Sequence, residues 1–384
     1  MESKKTYLVL TPFFPSDESH VGSYVYDQAK AIIKFSDYDV NVIKVVSFFS
    51  SEKDYIFKGI EVKVFKVLDF PFFIFPGIFN EINSSRIRRF LKTHNLLNNL
   101  DVIHAHVCYP AAYLANAIES IVKVKTIVQH HGIDALQLLN GRLRFITKIQ
   151  NRFLKNRNLK QLNKIGLSVS VSKRVRKALN EYEKYQPKDE YVLYNGVDRT
   201  KFYNTNTIKN NKIYTIGCVA NFWQIKDQIT LIKSVQEILE DGKEIRLRLI
   251  GSGPTLQFCK KYVFENKLSK CILFESEIAH QKLNDFYNEI DLFVLPSYYE
   301  ASACVLMEAW ATETPFISIK EQGIAELIPI NEIDNLLADK KSPESLKEKI
   351  IGEYNRKRCY PFNEKYDINN TISEFLKQPF FYDK

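Results

Sequence analysis

The chain has 384 residues and a mass of 44.8 kDa, a length that suits two or three domains. Apolar residues make up 45% and charged residues 26%, with 13 Gly and 13 Pro, which excludes large-scale disorder, fibrous repeats and low-complexity linkers. The net charge of +9 is unevenly placed: residues 1–190 hold 29 Lys and Arg against 18 Asp and Glu, and residues 191–384 hold 25 against 27. A basic first half suits nucleic acid, anionic lipid or an acidic substrate, and equally a composition that is simply rich in Lys, Asn and Ile.

The apolar run at Tyr7–Leu10 is short and meets Pro12 and Pro15, so it reads as a buried strand and turn rather than a secretory signal. The stretch Val102–Ile118 lacks charge but carries His104, His106, Pro110 and Asn116, which does not suit a membrane span. The six cysteines form no CxxC pair and several stand in apolar runs, as expected of free thiols in a reducing, cytoplasmic setting.

Along the chain, short apolar runs alternate with helical patterns. Strands are expected at Tyr7–Leu10, Val40–Val46, Val102–Ala105, Thr126–Gln129 and Ile165–Val171, with helices at Ser23–Lys34 and Lys173–Tyr182. The alternation restarts after Asn195-Gly196, a turn signal. Further strands are expected at Tyr214–Val219, Arg246–Ile250, Ile272–Phe274 and Asp291–Leu295, and helices at Lys226–Glu240, Thr255–Asn266, Gln281–Glu289 and Val305–Ala311. Two successive series of βα units predict an α/β protein of two doubly wound, Rossmann-like domains: 1–194, then 195–365, with 366–384 returning to the first domain.

Ligands of open α/β sheets bind beyond the carboxyl ends of the strands. Polar residues directly after the apolar strands are therefore the candidates. After Asp291–Leu295 comes a small, polar loop and then a nearly all-apolar helix with Glu308 in its middle and Glu300 in the preceding loop. The N–H groups of such a helix start suit a phosphate, and flanking carboxylates suit sugar hydroxyls. Glu308 paired with a buried Lys or Arg, and Glu300 as a solvated loop residue, is the competing structural reading. Lys226 is expected at a helix start, where a cation opposes the helix dipole unless an anion sits there too. Gly22, in a loop before a helix, suits close backbone approach to a phosphate of the donor or to the acceptor. His130 and His131 follow a strand directly, with Asp134 near enough to orient a histidine; His104 and His106 suit packing or capping equally well. The spacing of these histidines matches no metal site. GSGP at Gly251–Pro254 lacks the third glycine of a dinucleotide fingerprint and reads as a strand-to-helix turn.

Glu300 and Glu308, seven residues between them and TPFIS to follow, resemble the signature of glycosyltransferase family 4, retaining enzymes of the GT-B fold. FFPSDESHVGSYVYDQAKAI, DVIHAHVCYPAAYLANAI, VQHHGID, VSVSKRVRKAL, YNGVDRTKF, RLRLIGSGP, EQGIAELI and NLLADKKSPESLKEKI continue the resemblance in order over most of the chain. It implies two domains facing across a cleft, an acceptor side and a nucleotide-sugar side. It implies that Glu308 binds the ribose hydroxyls of a nucleotide-sugar and Glu300 the transferred sugar. Backbone near Ala303, Cys304 and Val305 would contact the diphosphate with Lys226, His131 would contact the transferred sugar, and Gly323, Ile324 and Ala325 would lie close to the donor. No metal or other cofactor is implied. The family's Arg a few residues before Lys226 is absent: Asn221, Phe222, Trp223 and Gln224 stand there, and Asn221 is left to supply a weaker contact. That departure, with Ala301 and Ser302, keeps open a non-catalytic nucleotide-sugar binder or partner subunit.

Residues 142–164 hold eight Lys or Arg and no acid, interleaved with apolar residues, a mix that suits an anionic membrane surface or equally the basic outer face of a packed helix. The run Phe70–Phe79 next to Arg86, Arg88, Arg89 and Lys92 suits contact with lipid or with a lipid-linked acceptor, or a buried loop. No nucleic-acid-binding module is matched. The expected activity is sugar transfer to a growing, lipid-linked surface glycan by a cytoplasmic protein at the inner face of the membrane.

Overall fold

The computed structural model describes residues 4–70, 75–132, 147–206, 213–356 and 361–382. The chain divides into two compact units, residues 1–195 with 368–384, and residues 196–367.

Unit 1 is built on β1 (Thr6–Thr11), β2 (Asp39–Ser47), β3 (Tyr55–Phe57), β4 (Ile60–Val67), β5 (Leu100–His106), β6 (Lys125–His130), β7 (Leu167–Ser170) and β8 (Glu190–Val192). They lie in the order β3-β4-β2-β1-β5-β6-β7-β8, parallel except for the antiparallel β3–β4 hairpin. All six residues of β1 are buried, because helices cover both faces of a parallel sheet. Each large apolar side chain so buried contributes about 1.5–3 kcal/mol. The helix Ser23–Phe35 packs Val25, Ala29 and Ile32 into the same core as Ile368, Ile372 and Phe375 of the helix Ile368–Leu376, which returns the C-terminal segment to this unit.

Unit 2 holds β9 (Tyr214–Val219), β10 (Ile245–Ile250), β11 (Ile272–Glu275), β12 (Leu292–Val294), β13 (Phe316–Ile319) and β14 (Leu337–Ala338), all parallel. Their order, β11-β10-β9-β12-β13-β14, is the doubly wound arrangement counted outward from the first strand, and unit 1 repeats it over β4-β2-β1-β5-β6-β7, with β3 added at one edge and β8 at the other. The chain therefore reverses direction across each sheet at β1/β5 and at β9/β12.

Two expectations are corrected. The helix expected from Lys226 starts at Gln228: Gln224–Lys226 form a 3₁₀ turn, and Asp227 at φ +51° breaks the helix. The hairpin β3–β4 is additional, its tight turn made by Lys58 and Gly59 at φ +46° and +86°. The GSGP segment is the turn between β10 and the helix Leu256–Glu265, as its missing third glycine implied. Its Gly251 and Gly253 have φ near +140°, and a Cβ on Gly253 would come within 2.6 Å of the Phe222 carbonyl oxygen, so this turn packs directly on the loop after β9.

Candidate active site

In unit 2 the polar side chains gather past the carboxyl ends of β9, β12 and β13. The loop after β12 crosses to the loop after β9: the Tyr298 N–H donates to the Ile225 carbonyl at 3.1 Å and the Ser297 hydroxyl to the same oxygen at 3.0 Å. This crossing brings Glu300 to Lys226, whose ammonium donates to Glu300 Oε1 in a mostly buried ion pair. Glu300 is thus paired rather than solvated. Its backbone N–H donates to Gln322 Oε1 at 2.6 Å, and the buried Gln322 carboxamide donates in turn to the carbonyls of Tyr298 (3.2 Å) and Lys320 (3.0 Å). The Gly323 N–H meets the Glu300 carbonyl at 3.4 Å, at the start of the 3₁₀ turn Gly323–Glu326 that carries Ile324 and Ala325.

The helix Cys304–Ala311 begins with Ala303 as its N-cap, and no side chain caps it. The first N–H groups of a helix have no partner within the helix, so the start near Cys304 and Val305 offers donors and a positive dipole end to an anion. Leu306 to Ala311 are buried, including Glu308 at 7% exposure. Glu308 is held by a phenol and an imidazole rather than by the Lys or Arg of the competing structural reading. The Tyr287 hydroxyl donates to Oε2 at 2.8 Å, and His280 Nε2 lies 3.3 Å from Oε1. Burial, and then the Glu308 charge, push the Tyr287 phenol far above its ordinary range, so it stays a donor. Asn221 sits where the loop leaves β9, and its carbonyl accepts from Gln228 Nε2 at 3.1 Å.

In unit 1, Gly22 caps the helix Ser23–Phe35 at φ +89°. A Cβ there would stand 2.5 Å from the Phe13 carbonyl, so only glycine lets the helix start pack on the loop after β1. His131 follows β6 and lies against the Tyr24 ring at 4.8 Å. His104 and His106 are buried in β5, and among the described residues no helix is capped by them. Asp134 and residues 142–146 lie outside the described residues, as does part of the 70–79 run.

Residues 21–201 match the family described as Glycosyltransferase Family 4, and residues 199–366 match Glycosyl transferases group 1. The chain belongs to glycosyltransferase family 4. It is 28% identical to the uncharacterized glycosyltransferase MJ1178 of Methanocaldococcus jannaschii over 280 residues, 72% of this chain and 71% of that protein. It is 27% identical to the capsular polysaccharide biosynthesis glycosyltransferase CapM of Staphylococcus aureus, over 47% of this chain and about half (49%) of CapM. The Anabaena protein Alr3699/HepE, solved with UDP and glucose, superposes with a TM-score of 0.71 at 15% identity, covering 97% of this chain and 100% of that one. At that identity the likeness establishes the fold, which is GT-B.

Of the candidate residues in this family 4 chain, the structure brings Lys226, Glu300 and Gly323 together and sets Glu308 on the adjoining helix. Gly22 and His131 belong to the other unit. Sequence reasoning missed Gln322, Tyr287 and His280. Tyr287 stood in an expected helix, but its partner lies 21 positions away. Gln322 directly precedes Gly323 and carried no signal of its own.

Proposed function

We propose that this protein is a retaining glycosyltransferase that moves a sugar from a nucleotide-sugar to a hydroxyl of a glycan acceptor. The observation that carries the reading is the Lys226–Glu300 pair beside the uncapped helix start, at the point where the strand order of unit 2 reverses. A cation and helix N–H groups are what a leaving diphosphate needs. Glu308, fixed by Tyr287 and His280, suits the ribose hydroxyls as acceptor, and Glu300 suits the transferred sugar. In the step, the acceptor oxygen bonds to the anomeric carbon and the bond to the diphosphate oxygen breaks. The diphosphate takes the electron pair, and its departing oxygen takes the acceptor's proton on the same face. Unit 2 is then the donor side and unit 1, with Gly22 and His131, the acceptor side, with no metal or cofactor in the cycle.

The acceptor class follows CapM by analogy: a growing surface polysaccharide on a lipid carrier, reached at the inner face of the membrane. Among the described residues no helix is long and apolar enough to cross a membrane. The helix Thr147–Leu162 exposes Lys148, Arg152 and Lys160 at helical spacing, continued by exposed Lys164, while Leu154 turns inward. That cationic stripe supports electrostatic attraction to anionic lipid rather than apolar insertion. Asn221, in place of the family's Arg, favours the second reading, a nucleotide-sugar binder without turnover.

A panel of UDP-, GDP-, ADP- and dTDP-sugars, with and without EDTA, tests the proposal by thermal shift and donor turnover. One donor should raise Tm and be consumed slowly, with EDTA making no difference. Binding without turnover in the presence of acceptor glycans leaves the non-catalytic reading, and no binding to any donor overturns both.

A further inference from the structure

Unit 1 contains a column of rings of which the proposed chemistry uses only His131. Tyr7 lies in β1, His104 and His106 lie two residues apart in β5 and so on one face of the sheet, and His131 follows β6. The Tyr7 hydroxyl is 2.7 Å from His104 Nδ1. The His104 and His106 rings stack at 4.4 Å and 20°, and those of His106 and His131 at 5.1 Å and 11°. His106 Nδ1 lies 2.8 Å from His131 Nε2. Burial above all holds His104 down to about 3 and His106 well below the ordinary histidine range, so both rings are neutral at working pH. A neutral imidazole has one N–H and one acceptor nitrogen, so a hydrogen bond to another ring couples the two tautomers: one nitrogen of the pair carries the proton and the other accepts it.

A second feature stands beside the first. Val107, next after His106, has φ +75° and ψ 156°, a region reserved almost wholly for glycine. Its N–H donates to the Gln129 carbonyl at 2.9 Å, tying the end of β5 to β6 two residues before His131. Strain of this kind survives where the surrounding structure over-determines the backbone.

We infer that His106 is a positioning residue for His131: its Nδ1 engages His131 Nε2, fixes the ring plane and the tautomer, and leaves Nδ1 as the nitrogen with which His131 meets other groups. The inference deepens the assignment of His131 to the acceptor side, but its structural content does not depend on that assignment.

The test is long-range ¹H–¹⁵N correlation of the full chain labelled in histidine, from pH 5 to 8. In the wild type His131 should occupy one tautomer and His106 should stay neutral. His106→Leu should release His131 into a mixture of tautomers, and should lower kcat about tenfold with the donor KM within twofold. His106→Asn, whose side chain puts a polar atom near the place of Nδ1, should restore most of both. An equal mixture of tautomers in the wild type overturns the inference without any variant, so it is testable even if His106→Leu does not fold. An unchanged His131 tautomer in folded His106→Leu overturns it as well. A locked tautomer with full activity in His131→Ala upholds the positioning and removes His131 from the proposed mechanism.

Discussion

At the carboxyl ends of β9 and β12 the site side chains are charged and held by loops, whereas toward those of β5 and β6 stand the rings of His104, His106 and His131, the first two neutral and held within a strand. Lys226 and Glu300 meet only because the loops after β9 and β12 cross and because Gln322 stitches a third loop to them. His104 and His106 sit inside β5, and their spacing is set by the strand pleat itself. The same strand order has thus been furnished in two ways. Charges suit a site that must hold a dianionic leaving group, and neutral buried rings suit one that must hold an orientation.

The sharpest way to break this contrast is to remove the charges. Lys226→Met should lower kcat by about 10²–10³, the typical loss when a preorganised stabiliser of a leaving anion is deleted. Single-turnover kinetics would check it, and a loss under threefold would mean that Lys226 does not face the diphosphate. Glu308→Ala should weaken donor binding by about 1.5–3 kcal/mol, the usual worth of hydrogen bonds to a charged group, and it also leaves the buried Tyr287 hydroxyl without its acceptor. Calorimetric titration with the nucleotide-sugar reads this directly, and wild-type affinity would remove Glu308 from the site.

Acid sharpens the contrast from the other side. The folded-state pKa values of His104 and His106 lie below the ordinary 6.5, chiefly through burial, so the unfolded chain binds protons that the folded one refuses. Their contribution is complete above about pH 6.5 and is lost as pH falls, for His104 down to about 3, at about 1.4 kcal/mol per pH unit for each histidine. Both tryptophans of the chain, Trp223 and Trp310, lie in unit 2, so their fluorescence follows that unit alone while far-UV circular dichroism follows both. The circular dichroism transition should begin at higher pH than the fluorescence transition, and His104→Phe should reduce proton uptake by about one. Coincident transitions with unchanged uptake would show that the rings are not refusing protons.

Gln322→Leu should act within unit 2 alone. It leaves the Glu300 N–H and two loop carbonyls without their buried partner, at a cost of about 1–3 kcal/mol. Tryptophan-detected unfolding measures it, and stability within about 0.5 kcal/mol of wild type would mean that the loops hold themselves.

The same contrast explains what could be read in the sequence. β9 was legible residue for residue, and β1, β5 and β6 to within two residues at each end, because a parallel strand buried on both faces is a continuous apolar run. Glu300, Glu308 and Lys226 were singled out by the family resemblance, since residue type alone left a buried ion pair and a solvated loop or surface residue equally open. The start of the helix after Lys226 was not legible, since nothing in the residue type announces Asp227 at φ +51°. The hairpin turn at Lys58-Gly59 was hidden because Lys is an unusual residue at positive φ. Gln322 and the His106–His131 bond were hidden for one reason: each depends on segments that lie far apart in sequence and meet only when the sheet forms.

The smallest expected effect concerns the backbone beneath the ring column. At an ordinary buried position Val→Gly removes three carbons, at about 0.8 kcal/mol for each buried methylene, and adds about 0.5–1 kcal/mol of backbone entropy. Val107 is 6% exposed, so the transfer cost applies nearly in full. Its backbone, however, stands in a region that costs a branched side chain about 1–3 kcal/mol and glycine almost nothing. The two nearly offset, and Val107→Gly should leave stability within about 1–2 kcal/mol of wild type, well short of an ordinary core deletion. Denaturant unfolding of this variant beside Val169→Gly, a fully buried valine in β7 with no such backbone, isolates the strain. Equal losses at the two sites would show that the end of β5 stores none.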